Sequence, residues 1–275
     1  MANKYKGFLI VSTICLLLLG YYQFTEYRAW WSFPLYDDGL RDGEVGDKVI
    51  IMAKLAVEDT SWVAEHLSDW QHAIYTVNDP FSRLHTSTNK GHESLAYLTY
   101  IISHYHSLPS TLLFLHAHRS GRRRGWHTDA WDWDNVRSVK SLNLSYVQKE
   151  GYVNLRCNWK PGCRPQDYTP NGHVSKQIWL EVLGPGSNGT EDEVPEMVGQ
   201  PCCAQFAVSK MQVKQRPLED YISYRQWVLD TELEDEKSGR VMEFLWHVIF
   251  GKGAVFCPEP SACYCNLYGR CDGVL

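Results

Sequence analysis

The chain has 275 residues and a formal net charge of −5, from 27 Lys and Arg against 32 Asp and Glu. That mild acidity, with no extended basic face, argues against a nucleic-acid binder. At 44% hydrophobic and 13% aromatic residues, it can bury the core of one domain of about 220 residues plus accessory segments.

The first element is an apolar run. Residues Gly7 to Thr25 carry no charge and centre on FLIVSTICLLLLGYYQF. At about 1.5 Å per helical residue such a run nearly crosses a hydrocarbon core of about 30 Å. Tyr21 and Tyr22 stand where an interfacial aromatic belt would sit, and Lys4 and Lys6 precede the span. The positive-inside rule then puts residues 1–6 in the cytosol and everything after residue 25 in the lumen or outside. A cleaved signal peptide is the competing reading, but no small-x-small cleavage site follows the run. The expectation is a type II, single-pass signal-anchor.

Cysteine usage agrees with that topology. Cys15 lies in the span. Eight remain beyond it: Cys157, Cys163, Cys202, Cys203, Cys257, Cys263, Cys265 and Cys271. An even set suits disulfides in an oxidising compartment. The adjacent Cys202 and Cys203 are expected to pair with different partners. A zinc site is the alternative, though no C-x-x-C pair exists. Two sequons, at Asn143 and Asn188, mark glycosylation candidates on the same side of the membrane.

Residues 26–47 read as a stem, broken by Pro34 and glycines. The run KVIIMAK, Lys48–Lys54, predicts a buried strand. Asp59, Thr60 and Ser61 offer N-caps to a helix carrying Trp62, Val63 and Leu67, and His72–Val77 predicts a second strand. Gly91 and His92 lead into a helix over Glu93–His106, stopped by Leu108-Pro109, and a strand over Thr111–Leu115 follows. This βαβ spacing predicts an open, mainly parallel sheet in a domain spanning residues 48–256, with ligands at the carboxyl ends of its strands. Further on, Val136–Leu144 and Tyr152–Leu155 are weaker elements, and Gln177–Leu183 reads as one more strand. Leu183–Gly199 reads as an exposed linker, and Cys202–Val208 as strand-like. Tyr221–Leu229 and Ser238–Phe250 read as helices, the latter turning Val241, Leu245 and Ile249 inward, with Trp246 in the core. Residues 257–275 form a cysteine-rich tail stapled back onto the domain.

Four constellations can carry chemistry. The strand over Thr111–Leu115 ends in His116-Ala117-His118, whose imidazoles share one face, and His127 follows within twelve residues. These three histidines are candidate metal ligands, and the loop with Arg119, Arg122 and Trp126 is a candidate substrate contact. Asp132-Trp133-Asp134 is a D-x-D, a pattern that can chelate Mg²⁺ or Mn²⁺ and so hold a nucleotide diphosphate. Glu243 and His247 lie at i, i+4 beside Arg240, as a candidate base and ligand pair or as a plain ion-pair stripe. Gln205 opens a buried strand and can face a substrate. No G-x-S-x-G, P-loop, G-x-G-x-x-G or H-E-x-x-H occurs, which lowers the hydrolase, NTPase, dehydrogenase and zinc-protease readings.

These segments resemble the family called domain of unknown function 3431, a largely fungal one. The matching pieces are VIIMAK with EDTSWVAEHL, ESLAYLTYIISHYHSLPSTLLFLHAH, WH, GYVNLRCNWKPGC, CCAQFAVSK with RPLEDYISYRQWV, and SGRVMEFLWHVIFG. That family is more distantly similar to GT-A glycosyltransferases, which are often Golgi proteins with one N-terminal anchor, a stem and a luminal catalytic domain. The resemblance implies a GT-A/Rossmann-like fold, a Golgi or ER location, a nucleotide-sugar donor with an acceptor or small-molecule substrate, and a divalent metal, Mn or Mg. The chain departs from that pattern: His116-Ala117-His118 stands where a GT-A enzyme's D-x-D would end a central strand. The expectation is therefore glycosyl transfer with Glu243 as acceptor base. The alternatives are an enzyme of another class tailoring a fungal secondary metabolite at the His site, and a non-catalytic membrane-anchored binding protein.

Overall fold

The computed structural model describes residues 47–121, 127–164, 174–184 and 194–271. The chain divides into two units, residues 1–40 and 41–275, and the first lies outside the described residues. So do the signal-anchor expectation for residues 7–25, the stem up to residue 46, and Cys15, Arg122, Trp126 and Asn188. Among the described residues no helix is long and apolar enough to cross a membrane.

Five strands form one sheet. They are β1 (Lys48–Lys54), β2 (Gln71–Thr76), β3 (Thr111–His116), β4 (Tyr152–Asn154) and β5 (Phe206–Ser209), in spatial order β2-β1-β3-β5-β4. The predicted βαβ unit is present. Helix α1 (Ser61–His66) joins β1 to β2, and α2 (Ser94–His104) joins β2 to β3, with β1 parallel to both neighbours. The mainly parallel expectation needs correction, because the sheet is mixed. Strand β5 inserts between β3 and β4 and runs antiparallel to each. That reversal makes β5 begin at the end of the sheet where β3 finishes, with Phe206 opposite Phe114.

Side chains alternate across the sheet, so each strand feeds two cores. Val49 and Ile51 of β1, Leu112 and Phe114 of β3, and Phe206 and Val208 of β5 face one way. That face is covered by α2, α7 (Leu218–Asp230) and α8 (Asp235–Ile249). Ile50, Met52, Leu113, Leu115 and Ala207 face the other way, onto α1, α3 (Asn135–Lys140), α4 (Leu144–Glu150) and α9 (Pro260–Tyr268). Trp246 of α8 is fully buried and packs on Phe206 and Tyr97, with centroids 5.4 and 5.9 Å away. Burying an aromatic of this size stabilises by about 3 kcal/mol.

Two further segments differ from the sequence reading. Gln177–Leu183 is not a strand but part of helix α5 (Lys176–Leu183), whose first turn is capped by Ser175 Oγ accepting from the Ile178 amide at 3.2 Å. Its Ile and Val carry strand propensity, yet Ile178 and Val182 are spaced i, i+4 and pack on the first core. Cys202–Ala204 are bends before β5 rather than strand. After β5, a short helix α6 (Lys210–Val213) leads to α7.

The tail is stapled as expected, by Cys157–Cys263 and Cys163–Cys257. They span 106 and 94 residues. Closing a loop of about that length stabilises by about 4–5 kcal/mol in the chain-entropy view. Cys265–Cys271 closes a local turn. The expectation of separate partners for Cys202 and Cys203 is wrong: they bond to each other. Pairing the other six among themselves leaves these two as mutual partners, and Cys203 takes a φ of 80° to reach its neighbour.

Candidate functional site

Beyond the carboxyl ends of β1 and β3, three chain segments, together with His127, Cys203 and the start of α8, line a cleft of about 470 Å³. The first is the turn after β1. Glu58 closes it by accepting the Leu55 amide at 2.7 Å, and its other oxygen lies 3.4 Å from His118 Nε2. The second is the end of β3. Trp62 Nε1 donates to the Ala117 carbonyl at 3.1 Å and Asn135 Nδ2 to the His118 carbonyl at 2.8 Å, which fixes the His-Ala-His backbone. The third is the Gly91-His92-Glu93 turn that enters α2. Gly91 has a φ of +69°, and a Cβ there would sit 2.5 Å from Val228 Cγ1, so only glycine fits. His92 is held by its amide donating to Asp235 Oδ1 at 2.8 Å.

The reversed strand β5 supplies the central clamp. Gln205, immediately before it, accepts the His116 amide at 3.0 Å and donates to the His127 carbonyl at 3.1 Å. The two imidazoles that it aligns meet Nδ1 to Nδ1 at 3.2 Å, so one ring donates to the other. His116 then presents Nε2 to the cleft. That atom is buried, has no hydrogen bond, and lies 3.9 Å from Glu93 Oε2. Burial holds the His116 imidazole well below the usual histidine range, with neighbouring His127, His118, His92 and Arg240 acting the same way. It is therefore neutral and able to offer a lone pair.

Glu243 of α8 lines the same cleft. Its Oε1 accepts the Cys203 amide at 2.6 Å, and its Oε2 accepts from Arg240 at 2.6 Å. Burial raises the Glu243 carboxyl, while Arg240 and the Cys203 amide pull it back. Glu93 is pushed up to about 8, first by burial and then by Glu243. Two carboxyls with raised affinity for protons thus share one cleft, a pattern common at functional sites. The fixed cations in the lining are Lys54 and Arg240, against Glu58, Glu93, Asp235 and Glu243. With Glu93 protonated, the excess negative charge is small.

The other sequence candidates lie elsewhere. Asp134 caps α3, accepting the Val136 amide at 2.8 Å, and sits 3.8 Å from the Arg119 guanidinium. Arg119 is further tied to His66 at 2.8 Å. Asp132 is an exposed residue with a φ of 58° in the 3₁₀ turn Trp131–Trp133. None of the three lines the cleft. His247 shares α8 with Glu243 but not its environment. It is fully buried, its Nε2 meets the Ala254 carbonyl at 2.9 Å, and burial lowers it to about 4. Asn143 is exposed and caps α4, its Oδ1 accepting the Tyr146 amide at 3.2 Å.

Sequence reasoning missed Glu58, His92, Glu93 and Asp235. Glu93 reads as an ordinary acidic residue at a helix start, favoured by the helix dipole. Its side chain makes no cap hydrogen bond, and its approach to His116 exists only in the fold.

A metal needs several ligand atoms close together. Among the described residues, the three-residue group with that proximity is Cys202, Cys203 and Glu243. Its sulfurs are bonded to each other, and the thiolate rather than the disulfide is the ligand form. His116 and Glu93 offer a two-atom set, Nε2 and Oε2, and His118 with Glu58 a second. Such pairs suit a cation whose remaining ligands come from substrate and water, as magnesium sites commonly do, rather than a closed cage.

No curated protein and no solved structure matches the chain. A family model does, over residues 50–266, which takes in the sheet, both cores, the cleft and most of the tail; the chain belongs to the family described as "Protein of unknown function (DUF3431)".

Proposed function

We propose that the cleft is the active site of a glycosyltransferase-like enzyme that moves a sugar from a nucleotide donor to an acceptor hydroxyl. The observation that carries this reading is the orphaned His116 Nε2, 3.9 Å from Glu93, with Glu243 lining the same cleft at the strand ends. In open α/β sheets that end is where ligands are bound. Glu243, raised by burial, accepts the proton of the acceptor hydroxyl, and Arg240 orients its carboxylate. Lys54 and Arg240 offset charge on the donor. His116 and Glu93 are the residues that would hold a divalent cation, manganese or magnesium. Such an ion would neutralise charge on a departing diphosphate. The domain is read as luminal, in the Golgi or ER, tethered by residues 7–25. Pairing of all eight cysteines beyond that run supports an oxidising compartment.

Calorimetry of the full chain against a panel of nucleotide sugars, with and without Mn²⁺, tests the reading. At least one donor is expected to bind, more tightly with the metal, and His116→Ala is expected to weaken that binding by about tenfold or more, in line with loss of one metal ligand. Absence of binding by every donor overturns it. Metal binding without nucleotide binding would point to an enzyme of another class.

A further inference from the structure

The Cys202–Cys203 disulfide lies outside the chemistry assigned above. The two longest bridges tie segments 106 and 94 residues apart and so constrain the unfolded chain. Cys202–Cys203 joins neighbours and constrains almost none of it. Chain stabilisation is therefore not its physical consequence. Cys203 has a φ of 80°, uncommon for a non-glycine residue.

Its surroundings point to chemistry. Both cysteines are buried, at 4% and 3% exposure, yet Cys203 forms part of the cleft wall. Behind them stands the buried Arg156, whose Nη1 lies 3.0 Å from Cys202 Sγ and 3.6 Å from Cys203 Sγ, while its Nε lies 3.4 Å from Asp129 and its Nη2 donates to the Lys160 carbonyl at 2.8 Å. A guanidinium against sulfur stabilises the thiolate over the thiol. We propose that Cys202–Cys203 is a redox-active disulfide that opens onto the cleft and exchanges with a small dithiol.

The assignment of the two sulfurs follows from position. A thiolate of the incoming dithiol attacks Sγ of Cys203, the cysteine of the pair that lines the cleft. The Cys202–Cys203 bond breaks, and Cys202 leaves as a thiolate facing Arg156 at the shorter distance. The second thiol of the reductant then attacks its own sulfur in the mixed disulfide. Cys203 is released, and the reductant departs as a cyclic disulfide. Two electrons and two protons pass from the dithiol to the pair, and the reverse steps reoxidise it. The Cys203 amide donates to Glu243 at 2.6 Å, so the pair adjoins the carboxyl assigned above.

The test equilibrates the purified full chain in graded ratios of reduced to oxidised dithiothreitol, followed by alkylation and peptide mass mapping. Cys202 and Cys203 are expected to become labelled together at ratios at least about tenfold milder than those that open Cys157–Cys263 or Cys163–Cys257, with near-ultraviolet circular dichroism unchanged. Arg156→Gln is expected to move the Cys202–Cys203 midpoint about tenfold toward stronger reductant without moving the others. A Cys202→Ser, Cys203→Ser double variant is expected to melt within about 3 °C of the parent. Labelling of this pair only as the chain unfolds, or only after the two long bridges open, overturns the proposal. So does a collapse of the double variant's melting temperature, which would make the bond a structural staple.

Discussion

Two stretches of the chain look alike as sequence and differ in the fold. His116-Ala117-His118 and Asp132-Trp133-Asp134 each place two ligand-type side chains one residue apart. At the end of β3 the backbone is fixed by Trp62, Asn135 and Gln205, all acting on main-chain groups. The imidazoles are left facing a cleft. At the 3₁₀ turn neither side chain lines the cleft. Asp134 caps a helix and faces Arg119, while Asp132 stands in solvent. A polar side chain becomes available for chemistry when other groups satisfy the local backbone, and x-spacing does not reveal which case applies.

The largest test of that contrast is Glu93, the carboxyl that no cap engages. Its folded value of about 8 lies above the unfolded one near 4.5, so the folded chain holds a proton that the unfolded chain has released between those limits. Stability is full below the lower value and falls as pH rises through the upper one. At about 1.4 kcal/mol per pH unit, the loss is on the order of a few kcal/mol. In metal-free buffer, Glu93→Gln is expected to abolish this fall and to be the more stable protein at pH 9, as read by urea unfolding. A parallel pH dependence in parent and variant would place Glu93 outside a desolvated cleft.

A smaller effect should separate the two ends directly. His116→Ala is expected to lower Mn²⁺ affinity by at least about tenfold. Asp132→Asn and Asp134→Asn are expected to leave it within about twofold, since neither lines the cleft. Equal losses at all positions would erase the distinction between the stretches. On stability the order reverses. Asp134→Ala removes a helix cap and is expected to cost about 1 kcal/mol, measured by thermal melts. The smallest change belongs to Asp132→Asn, an exposed position expected to stay within about 0.5 kcal/mol of the parent.

The fold was legible where local pattern and tertiary role agree. KVIIMAK, HAIYTV and TLLFL are short apolar runs bounded by turn residues, and each became a strand in the expected βαβ order. The stripe of α8 carrying Val241, Leu245 and Ile249 packs inward as its 3.6-residue spacing predicts. Gln177–Leu183 misled because Ile178 and Val182 favour strands individually, while the Ser175 cap and i, i+4 packing favour a helix. Within the candidate site, His116, His118, His127 and Glu243 converge on one cleft, and His247 faces the interior instead. Glu93 and Glu58 carried no local signal, because their role depends on partners 23 and 60 residues away in the chain, His116 and His118.

By itself the sequence determined the alternating and helical periodicities, the even set of eight cysteines beyond the apolar run, and the histidines closing a buried strand. These are local properties, written in the spacing of side chains along a chain whose backbone geometry is nearly invariant. Tertiary structure decided the direction of β5, and with it the placing of Gln205 between His116 and His127. It also decided which cysteines meet, which of Glu243 and His247 sees the cleft, and that the Asp-Trp-Asp turn serves a helix end. Each of these depends on which distant group desolvates or hydrogen-bonds a side chain, and that free energy exists only once the chain has closed on itself.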